Sequence, residues 1–412
     1  MPEQENEKTR QEADQRPGPL AGLLVADFSR VLAGPYCTML LGDLGATVIK
    51  VESPAGDDTR TWMPPERDGV ATYFLAINRN KRSVILDFND PADLQLAHEL
   101  AARADVFIEN FKPGGLKRFG LDYDAVQQCN PGIVYASISG FGTAQGASLP
   151  GYDLIVQAMS GLMSLTGDPD GPAYRSGISV FDVMAGLHAT IGILAALNYR
   201  HHTGEGQHVE VSLYASALSG MVNQTSAYVA GGVVPTRMGN AHPSLFPYEA
   251  LPTADLDLII AAGNNGQFDK LCEILDLPDL PHDPMFANTK DRTRNREALR
   301  PLLVERLRTR KALEWFRLLS AAGVPCGPIN NVAGGIAFAR EIGLDPVVEV
   351  GAGDDAVPMI RHPISFSLTP PRHRLPPPAL GQDNEQIRAW LSRVQRIDPE
   401  KRKTTRGPSE QS

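Results

Sequence analysis

Asp182 is the residue whose surroundings point most clearly to chemistry. It lies near the start of an apolar stretch at residues 177–207, with no other charged side chain for several residues on either side. The stretch is predicted to be one helix, and its aspartate is then an ordinary N-cap worth about 1 kcal/mol. A helix N-terminus also favours an ionised carboxylate, and a carboxylate in a dry cleft can act as a covalent nucleophile. The residues alone leave both interpretations open.

Common nucleotide-binding and hydrolase motifs are absent. The first predicted strand leads into DFSRVLAGP at residues 27–35, which lacks the GxGxxG glycines of a dinucleotide site. Neither a P-loop nor a GxSxG nucleophile motif occurs. The cysteines form no CxxC pair and have no histidine at metal-ligand spacing; they are Cys37, Cys129, Cys272 and Cys326. We therefore expect free thiols in a reducing compartment, and no metal site.

The composition is that of an ordinary globular protein. The chain has 412 residues, of which 42% are hydrophobic and 21% charged, with a formal net charge of −9. This length suits two or three domains, and the acidic total without a Lys/Arg block disfavours nucleic-acid binding. The N-terminal residues have neither the apolar core of a signal peptide nor the acid-poor character of a transit peptide. Since no stretch reaches about 18 consecutive apolar residues, we expect no membrane span and a cytoplasmic location.

The first half of the chain alternates between strand-like and helix-like segments, which predicts a parallel sheet covered by helices on both faces. The helix-like segments are residues 33–45, 91–104 and 177–207. The strand-like segments are residues 23–28, 46–52, 83–88, 105–110, 133–141 and 208–213.

The predicted domain organisation places a small domain inside a large one. We expect solvated tails at residues 1–17 and 396–412, because neither has enough apolar residues to pack. A large domain is predicted at residues 18–224, a small domain at 225–330, and a return to the large domain at 331–395.

Nine motifs in fixed order carry a family resemblance. They include PLAGLLVADFSRVLAGP (19–35), LGATVIKVESPAGDDTR (44–60), NRNKRSVILD (78–87), ADVFIENFKPGGLKRFGL (104–121), NPGIVYASISGFG (130–142), GYDLIVQAMSG (151–161), TGEGQHVEVSL (203–213), RMGNAHPSLFPY (237–248) and GVPCGPINNV (323–332). The chain thereby resembles the family III CoA-transferases, among them formyl-CoA and carnitine CoA-transferases, with the α-methylacyl-CoA racemases as relatives. The resemblance implies a Rossmann-like large domain with a smaller inserted α/β domain, and an interlocked homodimer.

The resemblance also implies a mechanism and its residues. Asp182 matches the catalytic aspartate, which attacks an acyl-CoA to give a mixed anhydride and then an aspartyl-CoA thioester. No metal or prosthetic group is implied. The resemblance places contacts to coenzyme A at Val31, Ala33, Leu86, Asn110, Phe111, Arg118 and Phe119. It places the substrate pocket near Trp62, Tyr152, Gly239 and His242.

The chain departs from formyl-CoA transferase at two positions. Leu32 stands where that enzyme has glutamine, and Ser53 replaces an arginine. We expect oxyanion donors near Gly239. The cations of the NRNKRS segment (78–83) are either candidate phosphate ligands or a solvated face that leads into a strand.

We expect CoA transfer from an acyl-CoA, with succinyl-CoA as donor and a small dicarboxylate as acceptor. Arg60, Arg175 and Arg237 are candidates for binding a second carboxylate, although each is more often a surface ion pair. Two alternatives stay open. A racemase needs a second acid-base group, and the bacterial racemases have histidine where this chain has Tyr152. The other alternative is a non-catalytic protein that binds acyl-CoA.

Overall fold

A computed structural model describes residues 16–353 and 356–393 of the chain. The chain divides into two compact units. The first comprises the described parts of residues 1–156, 179–220 and 347–412, and the second comprises residues 157–178 and 221–346. The small domain predicted at 225–330 lies inside the second unit, and the predicted domain boundaries themselves stay a prediction.

Strands alternate with helices through the first unit, as the sequence pattern predicts. The strands of the described residues are β1 (Leu24–Asp27), β2 (Thr47–Glu52), β3 (Glu66–Arg67), β4 (Val70–Ala71), β5 (Lys81–Ile85), β6 (Val106–Glu109), β7 (Val134–Ser139), β8 (Gln207–Ser212), β9 (Tyr248–Pro252), β10 (Asp257–Ala261), β11 (Cys326–Pro328), β12 (Val347–Val350) and β13 (Val357–Ile360). The α-helices are α1 (Ala33–Asp43), α2 (Thr72–Ile77), α3 (Pro91–Arg103), α4 (Tyr123–Cys129), α5 (Asp153–Ser160), α6 (Leu162–Leu165), α7 (Val180–Thr203), α8 (Leu213–Gly220), α9 (Val222–Val229), α10 (Asn265–Ile274), α11 (Thr289–Arg294), α12 (Arg296–Leu307), α13 (Ala312–Ala321), α14 (Val332–Glu341) and α15 (Asn384–Ser392).

The main sheet of the first unit has six parallel strands in the order β5-β2-β1-β6-β7-β8. This is the doubly wound Rossmann order, in which the chain builds outward from β1 in one direction and then from β6 in the other. The predicted α/β fold with a large parallel sheet is therefore confirmed. A stack of aromatic rings, Phe28, Phe107 and Tyr135, fills one face of the sheet, with centroids 4.4 and 4.7 Å apart.

The second unit has its own core. Its antiparallel sheet has the strand order β11-β10-β9, and apolar side chains of α10, α12 and α13 pack against it. Trp315 of α13 is buried and donates its indole N–H to the carbonyl of Leu307 at 2.7 Å. The sheet and its helices make this unit an α/β assembly with an independent core.

Helix α7 is the 24-residue helix that carries Asp182. It is the one helix among the described residues that is long and apolar enough to cross a membrane by length and composition alone, with a mean hydropathy of 1.8. One face packs on α1, β7 and β8. Its apolar character on that face is therefore explained by contacts within the first unit, as for the central helix of many globular cores.

Candidate active site

The strand order of the parallel sheet reverses between the neighbouring strands β1 and β6. Because the chain leaves these adjacent strands in opposite directions, a crevice opens at their carboxyl ends, where doubly wound proteins bind ligands. The side chain of Asn110, just after β6, joins the loops that follow the two strands. It accepts from the amide of Arg30 at 2.8 Å and donates to the Arg30 carbonyl at 2.7 Å. The crevice therefore has a fixed shape at its centre.

Two cavities lie at this crevice and share Arg30 and Phe111 in their walls. One, of about 210 Å³, is lined by apolar side chains that include Phe28, Leu86 and Phe119, and by charged residues as well. The other, of about 220 Å³, contains Asp182 and is called the reaction cavity below. An elongated ligand could place an aromatic ring in the first cavity and a reactive group in the second, with Arg30 between them.

Close packing of two helices carries Asp182 into the reaction cavity. Gly186 lies one turn after Asp182 on the same side of α7. A Cβ atom added to Gly186 would lie 2.6 Å from the carbonyl oxygen of Ala33, at the first residue of α1. Since only glycine allows this approach, the first turn of α7 lies beside the first turn of α1.

Asp182 is not the N-cap of α7. The N-cap residue is Ser179, which makes no side-chain capping hydrogen bond. The capping carboxylate is Asp153, from the start of α5, whose Oδ1 accepts from the amides of Phe181 at 2.8 Å and Asp182 at 3.1 Å. The N-cap interpretation of Asp182 is wrong, and the Asp182 side chain remains available for chemistry.

The charge state of Asp182 also differs from the expectation of a carboxylate stabilised by the helix. Burial, and then the negative charge of Asp153, raise the pKa of Asp182 from 3.8 to about 7. The amides at the helix end are already satisfied by Asp153, so their favourable effect does not reach the Asp182 carboxylate. The result is a carboxylate that is unusually basic, and such oxygen atoms are stronger nucleophiles when ionised.

A buried ion pair fixes the loop after β1. Lys50 and Asp57, whose side chains are both fully buried, lie 2.9 Å apart, and Lys50 also donates to the carbonyl of Ser29 at 3.0 Å. Asp57 accepts from the amide of Val31, with both oxygens at 3.3 Å. Val31 has a φ of 67°, a strained value for a β-branched residue. The pair thus holds a strained turn at the wall of the reaction cavity.

The N-terminus of α1 offers backbone donors at the same place. Leu32 is the N-cap and makes no side-chain capping hydrogen bond. In the part of the chain that the structure describes, no oxygen accepts a hydrogen bond from the backbone N–H of Ala33 or Gly34. Such amides at a helix N-terminus suit a negatively charged oxygen. Ala33 itself lines the reaction cavity.

The residues expected to contact coenzyme A lie around these two cavities. Those that line one or both are Val31, Ala33, Leu86, Asn110, Phe111, Arg118 and Phe119. Arg118 is exposed and lies over the ring of Phe119 at 4.4 Å. Leu86 is almost fully buried, so it forms part of the cavity floor. Their contacts with coenzyme A stay a prediction.

The residues predicted for the substrate pocket fall in both units. In the first, Tyr152 lines the reaction cavity and is 64% exposed, and Trp62 packs edge-on against Tyr73 at 5.3 Å. In the second, His242 packs against Tyr248, and the amide of Gly239 donates to the carbonyl of Gly167 at 3.0 Å. An oxyanion donor in the Gly239 segment would therefore be a different amide, and the roles of Gly239 and His242 stay predictions.

The cations of the NRNKRS segment all pair with carboxylates of the first unit. Lys81 is fully buried and pairs with Asp27 at 3.1 Å. Arg79 is buried against Asp43 at 2.6 Å, and Arg82 pairs with Asp383 at 3.1 Å. Carboxylates remote in the sequence therefore neutralise these cations, and of the three only Arg82 is exposed, by 39% of its side chain.

Arg60 is likewise occupied. Its guanidinium makes a two-point ion pair with Glu52, at 2.7 and 2.8 Å, and also donates to the carbonyl of Pro378. It therefore cannot bind a second substrate carboxylate without breaking these bonds. Arg237 donates to the carbonyl of Asp168 at 3.2 Å within the second unit.

Sequence reasoning missed Asp153, Arg30 and Lys112, which all line the reaction cavity. Asp153 directly follows Tyr152 in the GYDLIVQAMSG motif, so the motif itself was the available signal. Arg30 and Lys112 flank residues that the resemblance did select, namely Val31 and Phe111. Neither cation has an ion-pair partner among the described residues, which leaves both charges for a ligand.

Comparison with known proteins identifies the family. The family model described as CoA-transferase family III matches residues 20–384. The chain belongs to this family. It is 42% identical to a succinate–glutarate CoA-transferase of Agrobacterium fabrum, over 92% of this chain and 98% of that protein. It is 40% identical to a succinyl-CoA:mesaconate CoA-transferase of Haloarcula hispanica, over 77% and 81%. It is 43% identical to a CAIB/BAIF family protein from Brucella suis of known crystal structure, with a TM-score of 0.81, over 91% of this chain and all of that one.

Membership gives the geometry a chemical meaning. Asp182 lies in a cavity that adjoins the one walled by Phe28 and Phe119. The described residues contain no cluster of three or more His, Cys, Asp or Glu side chains placed to hold a metal ion. The substrates of such an enzyme are coenzyme A esters and carboxylic acids.

Proposed function

We propose that this enzyme moves coenzyme A from succinyl-CoA to a small dicarboxylic acid through covalent intermediates on Asp182. The observation that carries the mechanism is the burial of Asp182 in the reaction cavity beside the free amides of α1. The choice of substrates is supported by the relatives named for glutarate and for mesaconate, which pair each acid with succinyl-CoA or succinate.

The first half of the reaction forms an enzyme-bound thioester. A carboxylate oxygen of Asp182 attacks the thioester carbonyl, the C–S bond breaks, and a mixed anhydride and free CoA thiolate form. The amides of Ala33 and Gly34 are candidates for stabilising the oxyanion. The thiolate then attacks the side-chain carbonyl carbon of Asp182, and the donor acid leaves as its carboxylate.

The second half runs the same two steps with the acceptor. The acceptor carboxylate attacks the aspartyl-CoA carbonyl and releases the thiolate, which attacks the acceptor half of the new anhydride. The acceptor acyl-CoA forms, and Asp182 is released as a carboxylate. Because acyl energy is kept in every intermediate, the path needs no ATP, metal or prosthetic group.

The cavities suggest how coenzyme A lies. We propose that the adenine ring occupies the cavity lined by Phe28 and Phe119, and that the thiol end reaches Asp182. The diphosphate then lies near Arg30 and Arg118. Lys112 is available for a phosphate or for the distal carboxylate of the diacid.

Incubation of the purified protein with succinyl-CoA and a panel of acids tests the substrates. The panel should include glutarate, mesaconate, other four- to six-carbon diacids, and butyrate as a monoacid control, with mass spectrometry of the CoA esters. We expect new CoA esters of the diacids and little of butyrate. Unchanged succinyl-CoA with every diacid would reject the proposed substrates.

The reaction cavity does not favour racemisation. Its lining includes no histidine among the described residues, and Tyr152 is largely exposed. A racemase needs a second group that exchanges the α-proton near neutral pH, and an exposed tyrosine is a poor one. Deuterium uptake at the α-carbon without acid exchange would instead support the racemase.

The pH dependence of the reaction should report the ionisation of Asp182. Since only the carboxylate attacks, kcat/KM for succinyl-CoA is expected to rise with pH through about 7 and then level off. Below that point it should fall about tenfold per pH unit. Rate measurements between about pH 5.5 and 8.5 check this, and a flat profile would contradict a nucleophile with a raised pKa.

We propose that the enzyme is a homodimer, as the family resemblance implies. Helix α7 leaves the large apolar side chains of Leu187 and Ile191 exposed, the latter by 63%. A second copy of the chain is the partner that the family arrangement supplies for this face. Light scattering of the purified protein measures the mass. We also propose a cytoplasmic location, which suits the free cysteines among the described residues.

A further inference from the structure

Asp153 is a buried carboxylate that the reaction path above does not use. It is 6% exposed, lines the reaction cavity with Asp182, and caps the first turn of α7 with two hydrogen bonds. Neutral side chains such as serine or asparagine can also cap a helix. A charged carboxylate beside another carboxylate carries an electrostatic cost, so its presence at a catalytic position calls for an explanation.

The position of Asp153 is fixed by the fold. Gly151 lies against Gly140, where the chain leaves β7, and a Cβ atom on Gly140 would lie 2.2 Å from the Cα atom of Gly151. This contact anchors the start of α5 at the carboxyl end of the sheet. Asp153 therefore reaches α7 from a rigid base, and its charge has a defined place relative to Asp182.

Other groups also face Asp182. Charged or titratable side chains that line the cavity or interact with Asp182 are Arg30, Tyr73, Lys112, Asp58, Tyr152 and Asp153. Of these, Asp153 alone among the described residues bonds to the backbone of Asp182 itself. Asp153 also contributes to the raised pKa of Asp182, after burial.

We propose that Asp153 is a positioning residue that holds Asp182 in place and whose negative charge drives Asp182 toward its acylated, uncharged form. This inference rests on the proposed function. In the exchange between the enzyme and succinyl-CoA, a free Asp182 carboxylate and a thioester become an aspartyl-CoA thioester and free succinate. The carboxylate of Asp182 loses its negative charge in this step. Any neighbour that disfavours that charge therefore favours the covalent intermediate.

The consequence is an enzyme that holds coenzyme A covalently while it awaits an acceptor. Without the Asp153 charge, the equilibrium moves back toward succinyl-CoA and the free carboxylate. The atoms balance at each stage, since succinate leaves as the thiolate takes its place on Asp182. Asp153 does not touch the reacting atoms, and its effect reaches them through Asp182.

The test compares Asp153→Asn with Asp153→Glu and the parent enzyme. Asparagine keeps an oxygen acceptor for the α7 amides and removes the charge, whereas glutamate keeps the charge and changes the reach. Each protein is mixed with succinyl-CoA and fixed concentrations of succinate, without acceptor. Intact-protein mass spectrometry at equilibrium then gives the ratio of covalent CoA adduct to free enzyme.

For Asp153→Asn we expect the adduct ratio to fall about three- to tenfold, as for removal of one nearby charge from a partly screened cavity. The acid limb of kcat/KM should move to lower pH in the same variant. An unchanged ratio and an unchanged acid limb in a folded Asp153→Asn protein would overturn the inference. If the parent itself gives no adduct on Asp182, the proposed function fails instead. If Asp153→Glu lost as much adduct as Asp153→Asn, the geometry of residue 153 and not its charge would control the adduct. That result would also overturn the inference.

Discussion

Replacing Asp182 by asparagine is expected to lower CoA transfer by about 10⁴-fold or more. An amide oxygen is a far poorer nucleophile than a carboxylate, and removal of a covalent nucleophile leaves only the contribution of binding. The measurement is the initial rate of glutaryl-CoA formation from succinyl-CoA and glutarate. In the same samples, mass spectrometry should find a covalent adduct on the parent and none on Asp182→Asn. Retention of more than about a tenth of the parent rate would refute the mechanism.

The stability of Asp182→Asn provides the control for folding. The folded-state pKa of Asp182 is about 7, above its ordinary value of 3.8, so ionising it costs folding energy as the pH rises through this range. The shift spans about three pKa units at about 1.4 kcal/mol each, which sets an upper figure of about 4 kcal/mol. The variant should therefore be more stable than the parent above about pH 7, and the difference should vanish near pH 4. If Asp182→Asn were less stable than the parent at pH 8, unfolding would explain its lost activity instead.

The alternation of strands and helices could be predicted from the sequence because it depends on local pattern. The predicted strands at residues 46–52 and 105–110 match β2 and β6 within a residue or two. The strand predicted at residues 83–88 is found at Lys81–Ile85 instead. The predicted strand begins too late because the residues before it are polar, yet Lys81 and Ser83 are buried by partners on β1 and β2.

The polar residues of the site were harder to predict, since their roles depend on contacts between remote segments. The family resemblance predicts Asp182 as the nucleophile, but the carboxylate that caps its helix lies 29 residues earlier, on another helix. Without that contact, an aspartate at the start of a helix is expected to be stabilised as an anion. The fold reverses this expectation, because burial disfavours the anion and Asp153 occupies the amides and adds a like charge.

The roles of the basic residues also depend on contacts between remote segments. The carboxylates that neutralise the NRNKRS run lie far from it in the sequence, so its charges suggest solvent or a phosphate ligand. In the fold, Asp27 and Asp43 come from β1 and α1 and neutralise Lys81 and Arg79. Among the described residues that line the two cavities, the cations without an ion-pair partner are Arg30, Lys112 and Arg118, and the resemblance selects only Arg118. A cation can bind a ligand here only where no carboxylate of the protein already neutralises it.

Replacing Lys50 by methionine is expected to destabilise the protein by about 3–5 kcal/mol, since it leaves the buried charge of Asp57 without its partner. The carbonyl of Ser29 also loses its donor. Because Asp57 holds the amide of Val31 at the reaction cavity, KM for succinyl-CoA should rise as well. Thermal and urea unfolding measure the first effect, and steady-state kinetics measure the second.

The double variant Lys50→Met/Asp57→Asn separates the charge from the packing. Removing both charges avoids an unpaired buried ion, so its cost should be clearly less than the sum of the two single costs. Arg294→Met is the matched control, because Arg294 is 66% exposed and its contact with Asp291 at 3.6 Å should be worth less than about 0.5 kcal/mol. If Lys50→Met were as mild as this control, the buried pair could not be what holds the strained turn at Val31. If the double variant lost as much stability as the two single variants together, Lys50 and Asp57 would act independently. The hydrogen bonds of Asn110 would then hold the loop after β1 without the ion pair.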